Sequence, residues 1–207
     1  MSQTISAEPV GNLTRYLQEI RRYLILHEKM ERSFADRRRE SRDLDAASQL
    51  VGTHLRLVVK IAKGFNGHGL PIADLISEGN VGVMKALDRF DPERGFRFAT
   101  YAVWWIRAEI QEYVVRGASM VRLGTTAAQK KLFFNQRRVK AQHHELDDGD
   151  LAPETVAAVA CKLGVQETEV VEMNQRMTGG EKSLDANVRD GADTEFLDLL
   201  VDDSQDH

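Results

Sequence analysis

Phe98, Tyr101 and Trp105 stand at i, i+3 and i+7 within the stretch FDPERGFRFATYAVWWIRAEI. That spacing gathers three large rings on one face only if the chain is helical there. Trp104 sits about 100° further round the same helix. Five rings (Phe96, Phe98, Tyr101, Trp104 and Trp105) are interleaved with Arg94, Arg97 and Arg107, and the chain has no tryptophan outside this pair. Two readings fit. An amphipathic helix would bury the rings in a core. A helix that handles unpaired nucleic acid would stack them on bases, at roughly 1–3 kcal/mol per base, while the guanidinium groups hold phosphates. Spacing alone favours the core, and Phe96 is read as core packing.

The rest of the chain also reads as helix. Its 207 residues include only four prolines, and long Leu/Val/Ala/Arg/Glu-rich runs carry no strand alternation, so the expected fold class is all-α. Residues 1–10 are expected to be disordered. From Leu13 to about Ala47 one or two charged helices carry an apolar stripe at Leu13, Leu17, Ile20 and Leu24, and the cluster Arg37 to Glu40 reads as a solvated face. Leu50, Leu57, Val58, Ile61 and Ala62 predict a helix that stops at Gly64. GFNGHGLP is a turn. Asp74 is a candidate N-cap for a helix from Leu75 to Phe90, ended by Asp91-Pro92, and the aromatic helix runs from about Phe98 to Val115. Thr125 or Thr126 can cap a further helix reaching about Gln142. Asp147 to Asp150 read as a loop, and PETVAAVACKLGVQETEVVEMNQRM reads as helix, turn at Gly164, helix, a helix-turn-helix pattern. The organisation expected is a helical region over 11–118, a small helical domain over 122–178, and an extended acidic linker over 179–207.

Charge is distributed unevenly. Residues 1–140 hold 24 Lys/Arg against 15 Asp/Glu, a balance of +9, whereas residues 141–207 hold 4 against 17, a balance of −13. A basic segment suits phosphate. The acidic end repels nucleic acid, so it reads either as a surface for a basic partner or as a solvated tail.

Other functions find no support in the residues. There is no Walker or Rossmann glycine pattern, no HExxH and no Cys/His metal spacing, and adjacent His143 and His144 point apart on a helix. An enzyme, a metal and a cofactor are therefore not expected. The single cysteine, Cys161, excludes an internal disulfide, is read as a packed core thiol, and fits a reducing cytoplasm. No apolar run reaches membrane-span length, and the polar start is no secretion signal. Cytoplasmic localisation is expected.

Immediately before the aromatic stretch comes ADLISEGNVGVMKALDRFD. Read together, DLISEGNVGVMKALDRFDPERGFRFATYAVWWIRAEI resembles region 2 of bacterial sigma factors of the sigma-70 superfamily, the specificity subunits of RNA polymerase, with the likeness nearly continuous from His54 to Arg122. TTAAQKKLFFNQRR, from Thr125 to Arg138, is similar to the signature of heat-shock sigma factors. The resemblance implies a region 2 helical domain, a region 3 helical domain and an acidic linker. It also implies a role in promoter −10 recognition and strand opening for stress genes, with core RNA polymerase and promoter DNA as partners. Chaperones or a membrane protease are further partners expected of a heat-shock factor.

Residue by residue, the resemblance places Asp74, Ser77, Glu78, Asn80 and Met84 on a helix that docks on a coiled coil of the largest polymerase subunit. Most primary sigma factors have Gln where this chain has Ser77. Trp104 and Trp105 match a wedge at the upstream edge of the bubble, and Tyr101 matches the ring that stacks on the first flipped adenine, with Phe98 and Thr100 beside it. A base must leave the duplex to be read on its Watson–Crick edge. Ala108 and Gln111 align with readers of the adjoining base pair. Alanine has no group for that task, while Gln111 can contact adenine. Arg107, Arg116 and Arg122 are expected on phosphates, and Thr126 and Gln129 on the duplex just upstream.

The chain departs from heat-shock factors at Ala118, where a tryptophan is usual nearby, and at Gln136, where leucine is usual. After LLVDDSQDH no second helix-turn-helix follows to read a −35 element, so the chain is expected to be a fragment or a natural truncation. Three roles remain open: a promoter-specificity subunit, a truncated competitor that occupies core polymerase without normal initiation, and a non-specific single-strand binding module.

Overall fold

Helices in this chain are bounded by a capping side chain at some ends and by proline or glycine at others. A computed structural model describes residues 9–120, 124, 126–142, 151–178, 183–188 and 195–200. Regular structure among them is helical, with one isolated bridge between Asn187 and Glu195, as the sequence pattern predicts. Contacts divide the chain into two units, Met1–Ala118 and Ser119–His207.

The first unit contains α1 (Pro9–Ile20), α2 (Glu28–Ser41), α3 (Leu44–Lys63), α4 (Ile72–Arg89) and α5 (Phe98–Gly117). Asp43 caps α3 by accepting from the N–H groups of Asp45 (2.9 Å) and Ala46 (3.2 Å), satisfying two donors that the helix cannot. Gly64 ends α3 as expected. α4 starts earlier than predicted, because Pro71 sets the entry and leaves Asp74 inside the first turn, where its charge complements the helix dipole. Pro9 and Val10, placed by the sequence reading in a disordered start, belong to α1. Leu24 does not continue the α1 stripe: the helix stops at Ile20, and Leu24 lies exposed in the connection to α2. Arg37, Arg38 and Arg39 of α2 are ion-paired at the surface, with Asp43, with Asp88 (3.1 Å), and with Asp91 and Glu93 (3.1 Å each), respectively.

Leu50, Val58 and Ala62 of α3, Leu75, Val83 and Ala86 of α4, and Phe98, Ile106, Ile110 and Val114 of α5 are fully buried. Gly82 brings α4 against α5 at backbone distance. A Cβ on Gly82 would lie 2.8 Å from Ile106 Cα and 2.9 Å from the Trp105 carbonyl oxygen.

The second unit packs α6 (Ala127–Gln142), α7 (Pro153–Leu163) and α8 (Glu167–Thr178) around Leu132, Phe133, Val159, Leu163, Val170 and Met173. The predicted turn between α7 and α8 rests on Gly164 at φ 63°, a left-handed conformation that glycine adopts without penalty. Cys161 is exposed, not packed: the buried face of α7 is Val156, Val159, Ala160 and Leu163, and Cys161 falls outside it. The acidic end is not simply extended. Phe196 N–H donates to Ala186 O (3.1 Å) and Leu197 N–H to Leu184 O (3.0 Å), and Phe196–Leu199 form a 3-10 turn. Arg122, Thr125, His143, His144 and the Asp147 to Asp150 loop lie outside the described residues. Among the described residues no helix is long and apolar enough to cross a membrane.

Candidate nucleic-acid interface

The aromatic helix α5 is entered through a tight turn. Asp91 accepts from the Glu93 N–H (3.1 Å), Pro92–Arg94 form one 3-10 turn, and Gly95 reverses the chain at φ 73°. Arg97, at the N-cap position, makes no cap of its own. Glu31 of α2 supplies it instead. Its carboxylate is 3% exposed, accepts the Phe98 N–H at 2.5 Å, and pairs with Arg97 at 2.7 Å (Nη2) and 3.1 Å (Nε). The Glu31 hydrogen bond, first among the causes, raises the Arg97 pKa further.

From that anchored end the rings separate by direction. Phe98 is fully buried and packs edge-on against His54 (centroids 4.8 Å) and Phe90 (5.1 Å). Trp104 is 70% exposed. Tyr101 and Trp105 are half-buried neighbours with centroids 6.2 Å apart, and the Arg89 guanidinium lies 4.6 Å over the Trp105 ring, an attraction of about 0.5–1 kcal/mol at such a site. The expectation for two phenylalanines is thereby reversed. Phe98, expected among the rings that meet bases, is core, because the first residue of α5 faces the α3–α4 side. Phe96, expected in the core, precedes the helix and is 67% exposed. Thr100, Arg107, Ala108, Gln111 and Arg116 are exposed along α5.

The α4 residues divide in the same way. Asp74, Ser77 and Met84 are exposed and Glu78 is half-buried. Asp74 accepts from the Tyr113 hydroxyl (3.3 Å), and burial first, then Asp74, raises the Tyr113 pKa. Asn80 is turned inward against α1, its Nδ2 3.2 Å and its Oδ1 3.3 Å from the Tyr16 hydroxyl. Burial raises the Tyr16 pKa, partly opposed by Asn80. In the second unit, Thr126 and Gln129 form a reciprocal cap of α6: Gln129 N–H donates to Thr126 Oγ1 (3.2 Å), and Thr126 N–H to Gln129 Oε1 (3.3 Å).

Residues 50–119, which contain α4, α5 and most of α3, match the Sigma-70 region 2 family. The chain is also 52% identical over 197 residues to RNA polymerase sigma factor RpoH of Caulobacter vibrioides, covering 95% of this chain and 67% of that protein. It is 53% identical to RpoH of Zymomonas mobilis (92% and 64%) and 42% identical to RNA polymerase sigma-C factor of Myxococcus xanthus (99% and 69%). This chain belongs to the sigma factor family. It spans about two thirds of the length of these relatives.

Set in a sigma factor, three features escaped the sequence reading. Val81 is 45% exposed beside Met84 at 48%; its i+4 relation to Ser77 was the available signal. Glu31 acts across a separation of 67 residues, which no local pattern records. Gly79 and Gly82 sit inside the DLISEGNVG motif as packing residues: a Cβ on Gly79 would meet Val58 Cγ1 at 2.5 Å.

Proposed function

We infer that this chain acts as a sigma factor that joins core RNA polymerase and directs promoter −10 recognition and strand opening, for heat-shock or stress genes. Its membership of the sigma factor family supports the first part, and its likeness to RpoH proteins supports the second. The observation that carries promoter opening is the pairing of a projecting Trp104 with a half-buried Trp105 and Tyr101 on one anchored helix. A ring held at the surface can replace a neighbouring base in the stack, offsetting the few kcal/mol that unstacking costs. Arg107 and Arg116 supply positive charge along the same helix for phosphates, which fixes register without reading sequence. On α4, the exposed Asp74, Ser77, Val81 and Met84, with Glu78, form the surface for polymerase: carboxylates for basic residues and a thioether that adapts to its partner.

The test replaces Trp104 and Trp105 together with alanine in polymerase reconstituted with the full chain. Loss of two stacked rings, worth roughly 2–6 kcal/mol at 1–3 kcal/mol each, should suppress opening of duplex promoter and leave core association intact. A pre-melted template should restore much of the activity. Equal loss on both templates would overturn the wedge role.

A further inference from the structure

Helix α5 has two sides, and the tryptophan wedge uses only one of them. Arg107 and Gln111 follow Trp104 by three and seven residues and share its side. Tyr113 follows Trp104 by nine residues, or about two and a half turns, so it projects from the opposite side. That side faces the helix assigned to polymerase. α4 and α5 touch at backbone distance where Gly82 meets Ile106. Asp74 lies eight residues before Gly82 and Tyr113 seven after Ile106, and the two meet because the helices run antiparallel.

The Tyr113 hydroxyl donates to Asp74 Oδ2 at 3.3 Å. Partial burial first, then the charge and hydrogen bond of Asp74 and the charge of Glu78, raise the Tyr113 pKa, against an opposing contribution from Arg116. The hydroxyl therefore keeps its proton and stays a donor. A second link between the helices joins Lys85 of α4 to Glu109 of α5 at 2.7 Å. Lys85 stands eleven residues from Asp74 on the same stripe of α4, and the docking residues Ser77, Glu78, Val81 and Met84 fall between the two links. Tyr113 is half-buried and Asp74 exposed, so part of the tyrosine reaches the surface beside the carboxylate. A ring with an apolar body and a polar tip is a side chain that protein interfaces favour. A carboxylate held in one position before binding loses less freedom when its partner arrives.

We propose that Tyr113 is a polymerase-docking residue on α5, which holds the Asp74 carboxylate in position for a basic side chain of the polymerase and carries the docking surface across the seam from α4 onto α5. Tyr113 acts through Asp74 as a positioning residue, and its exposed part adds apolar contact. Polymerase then grips α5 on one side while Trp104 meets DNA on the other, so docking fixes the rotational setting of the helix that opens the promoter. The assignment rests on the docking surface inferred above for α4 and extends it to a second helix.

The test titrates core polymerase with the full chain carrying a fluorescent label, and records the melting midpoint of each variant. Tyr113→Phe removes only the hydroxyl. It should weaken association about three- to fivefold, the lower range for one hydrogen bond, with the midpoint unchanged. In an Asp74→Ala background the same change should cost less than about 1.5-fold, since the positioned group is gone. In a Met84→Ala background it should keep its full factor, because Met84 is about 15 Å further along α4 and independent. Equal factors in the two backgrounds would show that the hydroxyl works apart from Asp74 and overturn the positioning role. Normal association by Tyr113→Phe, whatever its midpoint, makes the hydroxyl at most a fold contact and overturns the proposal; loss of association in the Glu78/Met84 double alanine variant would then show that the α4 surface stands without it. If Tyr113→Phe and the Glu78/Met84 variant both bind core as the parent does, the docking surface falls and this residue with it.

Discussion

The Glu31 carboxylate on α2 accepts the backbone N–H of Phe98, the first residue of α5, at 2.5 Å. A buried acid from a distant helix thus does what a local N-cap side chain usually does, and it fixes where the aromatic helix begins. Glu31→Ala leaves the Phe98 N–H and the Arg97 guanidinium without that partner. Arg97 is partly exposed, so the loss falls below the roughly 3–5 kcal/mol typical of a broken fully buried pair, at about 2–3 kcal/mol. Urea unfolding of the parent and variant measures it. A change below about 0.5 kcal/mol would remove the anchor role.

Gly82 admits the backbone of α5. Gly82→Ala should destabilise the first unit by about 1–3 kcal/mol through overpacking, despite the better helix propensity of alanine. The obstructing atoms, Ile106 Cα and the Trp105 carbonyl oxygen, are backbone and cannot rotate away. Thermal melting followed by helical circular dichroism tests this; an unchanged or raised midpoint contradicts the close approach.

The two indoles should report different environments. Trp104→Phe leaves Trp105, half-buried beneath Arg89, and should emit at shorter wavelength with weaker acrylamide quenching. Trp105→Phe leaves the projecting Trp104 and should do the opposite. Identical spectra would contradict the exposure difference.

Polymerase docking and folding should separate on α4. Glu78→Ala combined with Met84→Ala should weaken association with core polymerase without shifting the melting midpoint. Asn80→Ala should in addition cost about 1 kcal/mol of stability, because Asn80 holds the Tyr16 hydroxyl. Normal core binding by the Glu78/Met84 double variant would move the docking surface elsewhere.

Acid should weaken the cap of α3. The Asp43 carboxyl is held below its ordinary range first by the Ala46 N–H, then by Arg37 and the Asp45 N–H, against some desolvation. A pKa lower in the folded than in the unfolded state gives stability that is complete above the unfolded value. That stability disappears as pH falls through the folded value. Asp43→Asn retains a capping oxygen and has no proton to gain. Relative to the parent it should lose less stability between about pH 7 and about pH 3, the span that crosses the ordinary carboxylate value. Equal acid losses in both proteins would exclude Asp43.

Local order in the sequence carried the fold far. Helical spacing, Gly64, Asp91-Pro92 and the Gly164 turn placed the elements, since such signals act within a turn or two of chain. The site was legible only in part. Trp104, Tyr101, Arg107 and Gln111 lie on α5 as the motif implied, but Phe96 and Phe98 exchanged places, because which side of an entering chain faces the core depends on where α3 and α4 already stand.

By itself the sequence determined the helical class, the order of the helices and the family motif, all set by neighbours a few residues apart. Tertiary structure alone decided that Asn80 turns to Tyr16, that Glu31 caps α5, and that Lys60 shares a groove with Arg107. Each joins residues from different helices, and burial, close packing and charge pairing between helices are fixed only when those helices meet.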